Sequence, residues 1–124
     1  MALAEPVVTI ASGAPPAELV VEDVVVGDGD EAAPGKQALV HYVGVAHSTG
    51  ATFESTWERG KPLGFPLGAG WLIDGWEQGL PGMRVGGRRK LTIPPHLGYG
   101  DEWAGTVIRP GETLVFVVDL LAVG

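Results

Sequence analysis

Trp71-Leu-Ile-Asp-Gly-Trp-Glu-Gln-Gly-Leu-Pro-Gly-Met83, followed by Val85-Gly-Gly-Arg-Arg-Lys-Leu-Thr-Ile-Pro-Pro95 and then Leu97-Gly-Tyr-Gly100, decides how this chain folds. Leu72, Trp76 and Leu80 fall at i, i+4 and i+8, the spacing of one helix face, and Pro81-Gly82 ends the run. A helix of about two turns is too short to stand alone in water. It has to be held by packing, and the remainder of the chain offers β-rich surface to pack on. The residues that follow read as a strand over Arg88 to Ile93, then as a glycine-hinged loop that returns Tyr99 toward the helix. A short helix laid over a sheet makes the Trp76 indole a wide apolar floor.

Working outward, Leu19 to Val26 is rich in β-branched residues and ends at the turn Gly27-Asp-Gly-Asp30. Gln37 to Ala46 alternates as a half-buried strand, with Tyr42 on the face opposite His41. His47-Ser-Thr-Gly50 turns into a strand over Thr52 to Ser55, and Thr113 to Val123 sets Leu114, Phe116, Val118 and Leu120 on one side. Trp57 to Pro62 and His96 to Gly111 read as loops. Residues 1–18 hold Pro6, Pro15 and Pro16 and read as an extended arm, with an edge strand at Val7 to Ile10. Residues 19–124 form one α+β domain of about five strands, a sheet that buries one face under the helix.

The chain has 124 residues, 45% of them hydrophobic, which suffices for one packed core. Its 20 glycines and 10 prolines favour turns and short strands over long helices. Without cysteine there is no disulfide framework and no thiolate chemistry. No run approaches the ~20 apolar residues that span a bilayer, and Met1-Ala-Leu-Ala-Glu-Pro6 lacks the features of a signal peptide, so a soluble, cytoplasmic protein is expected. The net charge of −7 arises in residues 1–35, which hold seven acids and no base, whereas residues 36–124 balance eight against eight. That sign argues against nucleic-acid and anionic-membrane partners. The one basic cluster, Arg84 with Arg88, Arg89 and Lys90, has no interleaved aromatics and reads as a solvated strand end. His41, His47 and His96 share no metal-ligand spacing, no serine sits in a nucleophile elbow, and Gly86-Gly87 is no dinucleotide fingerprint. Metal, hydrolase and NAD readings therefore have no support in the sequence.

Val40-His-Tyr-Val-Gly44, Thr52-Phe-Glu-Ser-Thr56, the opening stretch and Thr113-Leu-Val-Phe116 occur in an order and spacing that resembles the FKBP-type peptidyl-prolyl cis-trans isomerases, over roughly residues 19 to 123. The resemblance implies an antiparallel sheet of five to six strands half-wrapped around one short helix. It implies a monomeric isomerase of X-Pro bonds that assists protein folding, takes proline-containing polypeptide segments, binds macrolides such as rapamycin and tacrolimus, and needs no cofactor. By position it assigns catalytic roles to Tyr42, Glu54, Trp76, Tyr99 and Phe116, and substrate contacts to Phe53, Arg59, Leu63, Phe65, Leu72, Ile73, Val107 and Ile108. Trp76 would be the floor, Tyr42, Phe65 and Phe116 aromatic walls, and Leu72, Ile73, Val107 and Ile108 the sides, with the Ile73 N–H and the Tyr99 hydroxyl as hydrogen-bond donors. The chain departs from the family pattern at Glu54, commonly aspartate, at Leu63, commonly aromatic, and at Trp71 and Trp103, where better-known members carry smaller or polar groups. Those departures keep open a binding module that uses the same cleft without turnover, and a structural domain with a filled pocket.

Overall fold

The computed structural model describes residues 3–10, 13–100 and 108–124. Strands β1 (Val20–Val25), β2 (Gln37–Ala46), β3 (Thr52–Ser55), β4 (Leu63–Pro66), β5 (Arg88–Ile93) and β6 (Leu114–Val123) form one antiparallel sheet. Their order is β1-β5-β6-β2-β3, and β4 pairs with β2 as well. Strands β3 and β4 share one edge of β2, the first beside Val43 to Val45 and the second beside Gln37 to Val40. Between them the chain leaves the edge through a single helical turn, α1 (Thr56–Arg59). Ser55 starts that turn by accepting the Glu58 N–H at 3.3 Å, and Gly60, at φ 70°, ends it in the left-handed conformation. The expected loop over Trp57 to Pro62 is thus partly helical, and the loop from His96 opens with a 3₁₀ turn at Pro95–Leu97.

Helix α2 (Asp74–Gly79) is shorter than the i, i+4, i+8 pattern implies, with Leu72 and Leu80 just outside it. Gly75 and Gly79, one turn apart, explain its placement. A Cβ at 75 would stand 2.5 Å from Cγ2 of Ile93, and one at 79 would stand 2.8 Å from Cδ2 of Leu91. Two glycines are poor helix formers. Here they bring the helix backbone onto β5, so packing holds what propensity does not.

The sheet has two unlike faces. On the inner face Val40, Tyr42, Leu91, Ile93, Phe116 and Val118 pack with Trp76, Leu80 and Met83. The outer face holds a smaller cluster of Val43, Val45 and Val115, against which Val8, Ile10 and Trp57 pack. Residues 3–10 form no strand, contrary to the edge strand expected at Val7 to Ile10. They cross the outer face instead, where Arg88 donates to the Ala4 carbonyl and Lys90 to the Thr9 carbonyl.

The basic cluster is also not a solvated strand end. Arg88 makes a two-pronged pair with its cross-strand neighbour Asp119, at 2.6 and 2.8 Å, and that hydrogen bonding pushes the guanidinium pKa up. Arg89, on the opposite face, pairs with Asp23 at 2.7 Å and donates to the Gly79 and Pro81 carbonyls, covering the open C-terminus of α2. Alternation along one strand sends successive arginines to different tasks. Among the described residues no helix is long and apolar enough to cross a membrane.

Candidate functional site

On the inner face the strands and α2 do not close completely. A cleft of about 380 Å³ remains, lined by Tyr42, Glu54, Leu63, Trp71, Leu72, Ile73, Trp76, Tyr99 and Phe116. Trp76 lies at its base, 4% exposed, and three aromatic rings fix its orientation. Tyr42 meets it edge-on at 4.9 Å between centroids, Phe116 edge-on at 5.2 Å, and Phe65 tilted at 5.6 Å. Edge-to-face contacts of this kind add to the burial of the rings themselves. The indole Nε1 is buried with no hydrogen-bond partner among the described residues, so the surface Trp76 offers the cleft is carbon.

Phe116 is itself held edge-on by Phe53 at 5.4 Å, which only a glycine beneath them permits. A Cβ at Gly44 would fall 2.6 Å from the Phe53 ring and 2.8 Å from the Phe116 ring. The aromatic wall therefore depends on a residue with no side chain.

The hydrogen-bonding side chains of the lining are those of Tyr42, Glu54, Trp71, Trp76 and Tyr99. The Tyr42 hydroxyl donates to Oε1 of Glu54, and the other carboxylate oxygen faces Arg59 at 3.7 Å. Burial, and then the Glu54 carboxylate, push the Tyr42 pKa well above the usual phenol range. Tyr42 stays neutral, with its one proton committed to Glu54. Tyr99, from the loop after the 3₁₀ turn, is 41% exposed, and its pKa is raised by burial and by the nearby Glu54 charge. Ile73 precedes α2 in extended conformation; its carbonyl accepts the N–H groups of Trp76 and Glu77 at 3.0 and 3.2 Å. Its own N–H finds no backbone acceptor among the described residues.

Eight of the thirteen expected site residues thus line the cleft: Tyr42, Glu54, Leu63, Leu72, Ile73, Trp76, Tyr99 and Phe116. Phe65, Phe53 and Ile108 stand behind them in the core, the first two bracing Trp76 and Phe116. Arg59 stands outside the lining, paired with Glu54 at 3.7 Å and close enough to the Tyr42 hydroxyl to oppose part of the upward shift of its pKa. Val107, like Trp103, lies outside the described residues. Trp71 is the lining residue that the assignment by family position leaves out, although an indole beside the helix start was legible in the sequence. Gly44 and Gly75 support the site without touching it, and a short side chain gives little signal. Among the described residues no group of three His, Asp or Glu could hold a metal ion.

The comparisons with known proteins agree with this geometry. The family model for FKBP-type peptidyl-prolyl cis-trans isomerases matches residues 29–121. An FK506-binding protein of Streptomyces anulatus is 56% identical over 124 residues, covering 99% of this chain and all of that protein. A probable FK506-binding protein of Corynebacterium glutamicum is 49% identical over 118 residues, covering 95% of this chain and 98% of its own. Among solved structures, the crystal structure of AtFKBP13 superposes with a TM-score of 0.78 at 41% identity, covering 87% of this chain and 94% of that one.

Proposed function

We propose that this chain, which belongs to the FKBP-type peptidyl-prolyl cis-trans isomerase family, accelerates rotation about X-Pro bonds in unfolded or extended polypeptide segments and thereby assists their folding. The observation that carries the reading is an open cleft with a carbon base at Trp76, lined mainly by apolar and aromatic side chains. The uncatalysed rotation crosses a barrier of about 18–20 kcal/mol and takes roughly 10–100 s. A ~10³- to 10⁴-fold acceleration needs only about 4–5.5 kcal/mol of differential stabilisation, which requires no covalent step.

The planar amide is a charge-separated resonance hybrid, and the twisted transition state has lost much of that separation. A dry aromatic floor therefore disfavours the planar form relative to the twisted one. In this assignment the proline ring rests on Trp76 between Tyr42 and Phe116, with Leu72 and Ile73 beside it. Because the Tyr42 proton is held by Glu54, that side chain offers the substrate a ring face rather than a donor. The donors left for substrate carbonyls are the Ile73 N–H and the Tyr99 hydroxyl, which hold the chain in a turn while the bond rotates. Arg59 keeps Glu54 in place. The same cleft is assigned to macrolides such as tacrolimus and rapamycin, and both bacterial relatives are named for binding FK506.

Turnover of a succinyl-Ala-Leu-Pro-Phe peptide by the purified protein, with and without rapamycin, tests the reading. Turnover that rapamycin abolishes is the expected result. Binding of the macrolide without any turnover would instead make this a binding module.

A further inference from the structure

We infer that the outer face of the sheet is a second polypeptide-binding groove, covered in this structure by residues 3–10, and that it takes an extended segment carrying aliphatic side chains at alternate positions. The groove stands independently of the cleft. That its partner is a further stretch of the polypeptides turned over in the cleft rests on the isomerase reading.

Residues 3–10 show what the face accepts. Pro6, Val8 and Ile10 are half-buried, while Glu5, Val7 and Thr9 between them are exposed, the two-residue alternation of an extended chain lying on a surface. Val8 and Ile10 pack against Val43, Val45 and Val115. Among the described residues the main chain of this segment is held by two of its oxygens, Ala4 by Arg88 and Thr9 by Lys90, and makes no backbone-to-backbone hydrogen bond. Because no N–H of the segment is used, a proline removes no contact, and Pro6 already lies on the track. Main-chain oxygens and alternate aliphatic groups are common to many extended segments, so the groove reads a pattern rather than one sequence.

The cover is loose. Val7 is 89% exposed. A hollow of about 260 Å³ lies between Ile10 and the sheet residues Val20, Lys90 and Val115, and another of about 300 Å³ lies beside Leu3, against Val85 and Leu121. The Trp57 indole N–H, beside the same valines, has no acceptor among the described residues. A segment with larger aliphatic side chains fills space that residues 3–10 leave open, and gains contacts they do not make. A tethered segment competes at an effective concentration of about a millimolar, so it shields the valines until a tighter-binding segment displaces it. A second copy of this chain fits less well. Its residues 3–10 would leave the same hollows, and two molecules of net charge −7 repel each other.

The test uses the full chain, as wild type and as the double variant Val8→Ser with Ile10→Ser, which frees the groove without altering the sheet. The probe is the proline-free peptide Lys-Thr-Val-Ser-Val-Gln-Ile-Lys, and its control carries serine in place of the three aliphatic residues. Binding is read from the NMR resonances of the Val43, Val45 and Val115 methyls and the Trp57 Nε1–H, with the Trp76 Nε1–H reporting on the cleft. The double variant should bind the probe about tenfold tighter than wild type, whose own segment competes, and the control should bind neither. At millimolar probe the wild-type Ile10 methyl should move to its unfolded-chain position, a reading that decides the groove even if the double variant fails to fold. Equal affinity of the two proteins, shifts at Trp76 without shifts at the valines, or equal binding of probe and control would overturn the groove. Light scattering that shows wild type pairing in step with release of Ile10 would make a second copy the occupant, and would overturn it too. If no prolyl peptide is turned over, the isomerase reading fails, and the proline-free probe still decides the groove.

Discussion

The two faces of the sheet come from the same strands and end in opposite conditions. Strand β2 sends Val40, Tyr42 and Gly44 inward, where rings touch edge-on and a hollow is left beside them. It sends His41, Val43 and Val45 outward, where valines, an ion pair and residues 3–10 fill the surface. Small β-branched side chains pack flush against an extended segment. Large flat rings packed edge-on keep their planes fixed and leave a space that none of them enters. The inner face keeps a cleft walled by rings, whereas the outer face is covered by an extended segment, with hollows left between that segment and the sheet.

The sharpest way to break this contrast is at Trp76. Trp76→Ala removes the ring that Tyr42, Phe65 and Phe116 all contact, and should cost about 3–5 kcal/mol of stability together with nearly all turnover, read by thermal melting and peptide exchange. Retained turnover there would end the floor assignment. On the other face, Asp119→Ala leaves the largely buried Arg88 guanidinium without its carboxylate and should cost about 3 kcal/mol in a denaturant melt. Turnover at low temperature should stay near wild type, because Asp119 points away from the cleft. A loss there comparable to Trp76→Ala would show that the faces are not independent.

Smaller effects sharpen the comparison. Gly75→Ala pushes a methyl into Ile93 and should destabilise by about 1–3 kcal/mol while lifting α2 and lowering turnover more than Asp119→Ala does. Tyr99→Phe should lower turnover only a few-fold, since carbon surface rather than one hydroxyl carries the chemistry; a loss beyond about a hundredfold would reverse that weighting. The smallest effect concerns pH. The folded-state pKa of Tyr42 is raised, so the native protein retains its phenolic proton where the unfolded chain releases it, near pH ~10. Stability is therefore unaffected by this group below that pH and falls as pH rises above it. Tyr42→Phe should show a shallower alkaline decline, Tyr99 supplying what remains, which paired melts from about pH 8 to pH 11 would reveal.

Periodicity made much of this legible. Strands β2 and β5 lie where alternation places them, because each buries one face under the helix and shows residues of different character on the other. Leu63-Gly-Phe-Pro66 carries no strand signal of its own, since four residues between Pro62 and Leu67 are too few to display a period, and only pairing with β2 makes them a strand. Helix α1 has only end signals in the sequence: Ser55 followed three residues later by Glu58, with Gly60 after it, is a start and stop without a hydrophobic face. The cleft residues were legible through the family pattern. What sequence could not convey was the arrangement beneath them, because Gly44 and Gly75 act by what they lack. Nor did charge counting reveal that Arg89 ends a helix while Arg88 holds a carboxylate on the other side.

The grip on residues 3–10 carries a practical consequence. Arg88 and Lys90 hold Ala4 and Thr9 by their main-chain oxygens, so the outer surface reads a path and not an identity. Substitutions at either position should be silent, whereas trimming the chain back to Gly13 would lay bare three valines and an indole, with Lys90 released from Thr9 and Arg88 left to Asp119 alone. A shortened version made for convenience would therefore be stickier than the parent, and its clumping would say nothing about the cleft.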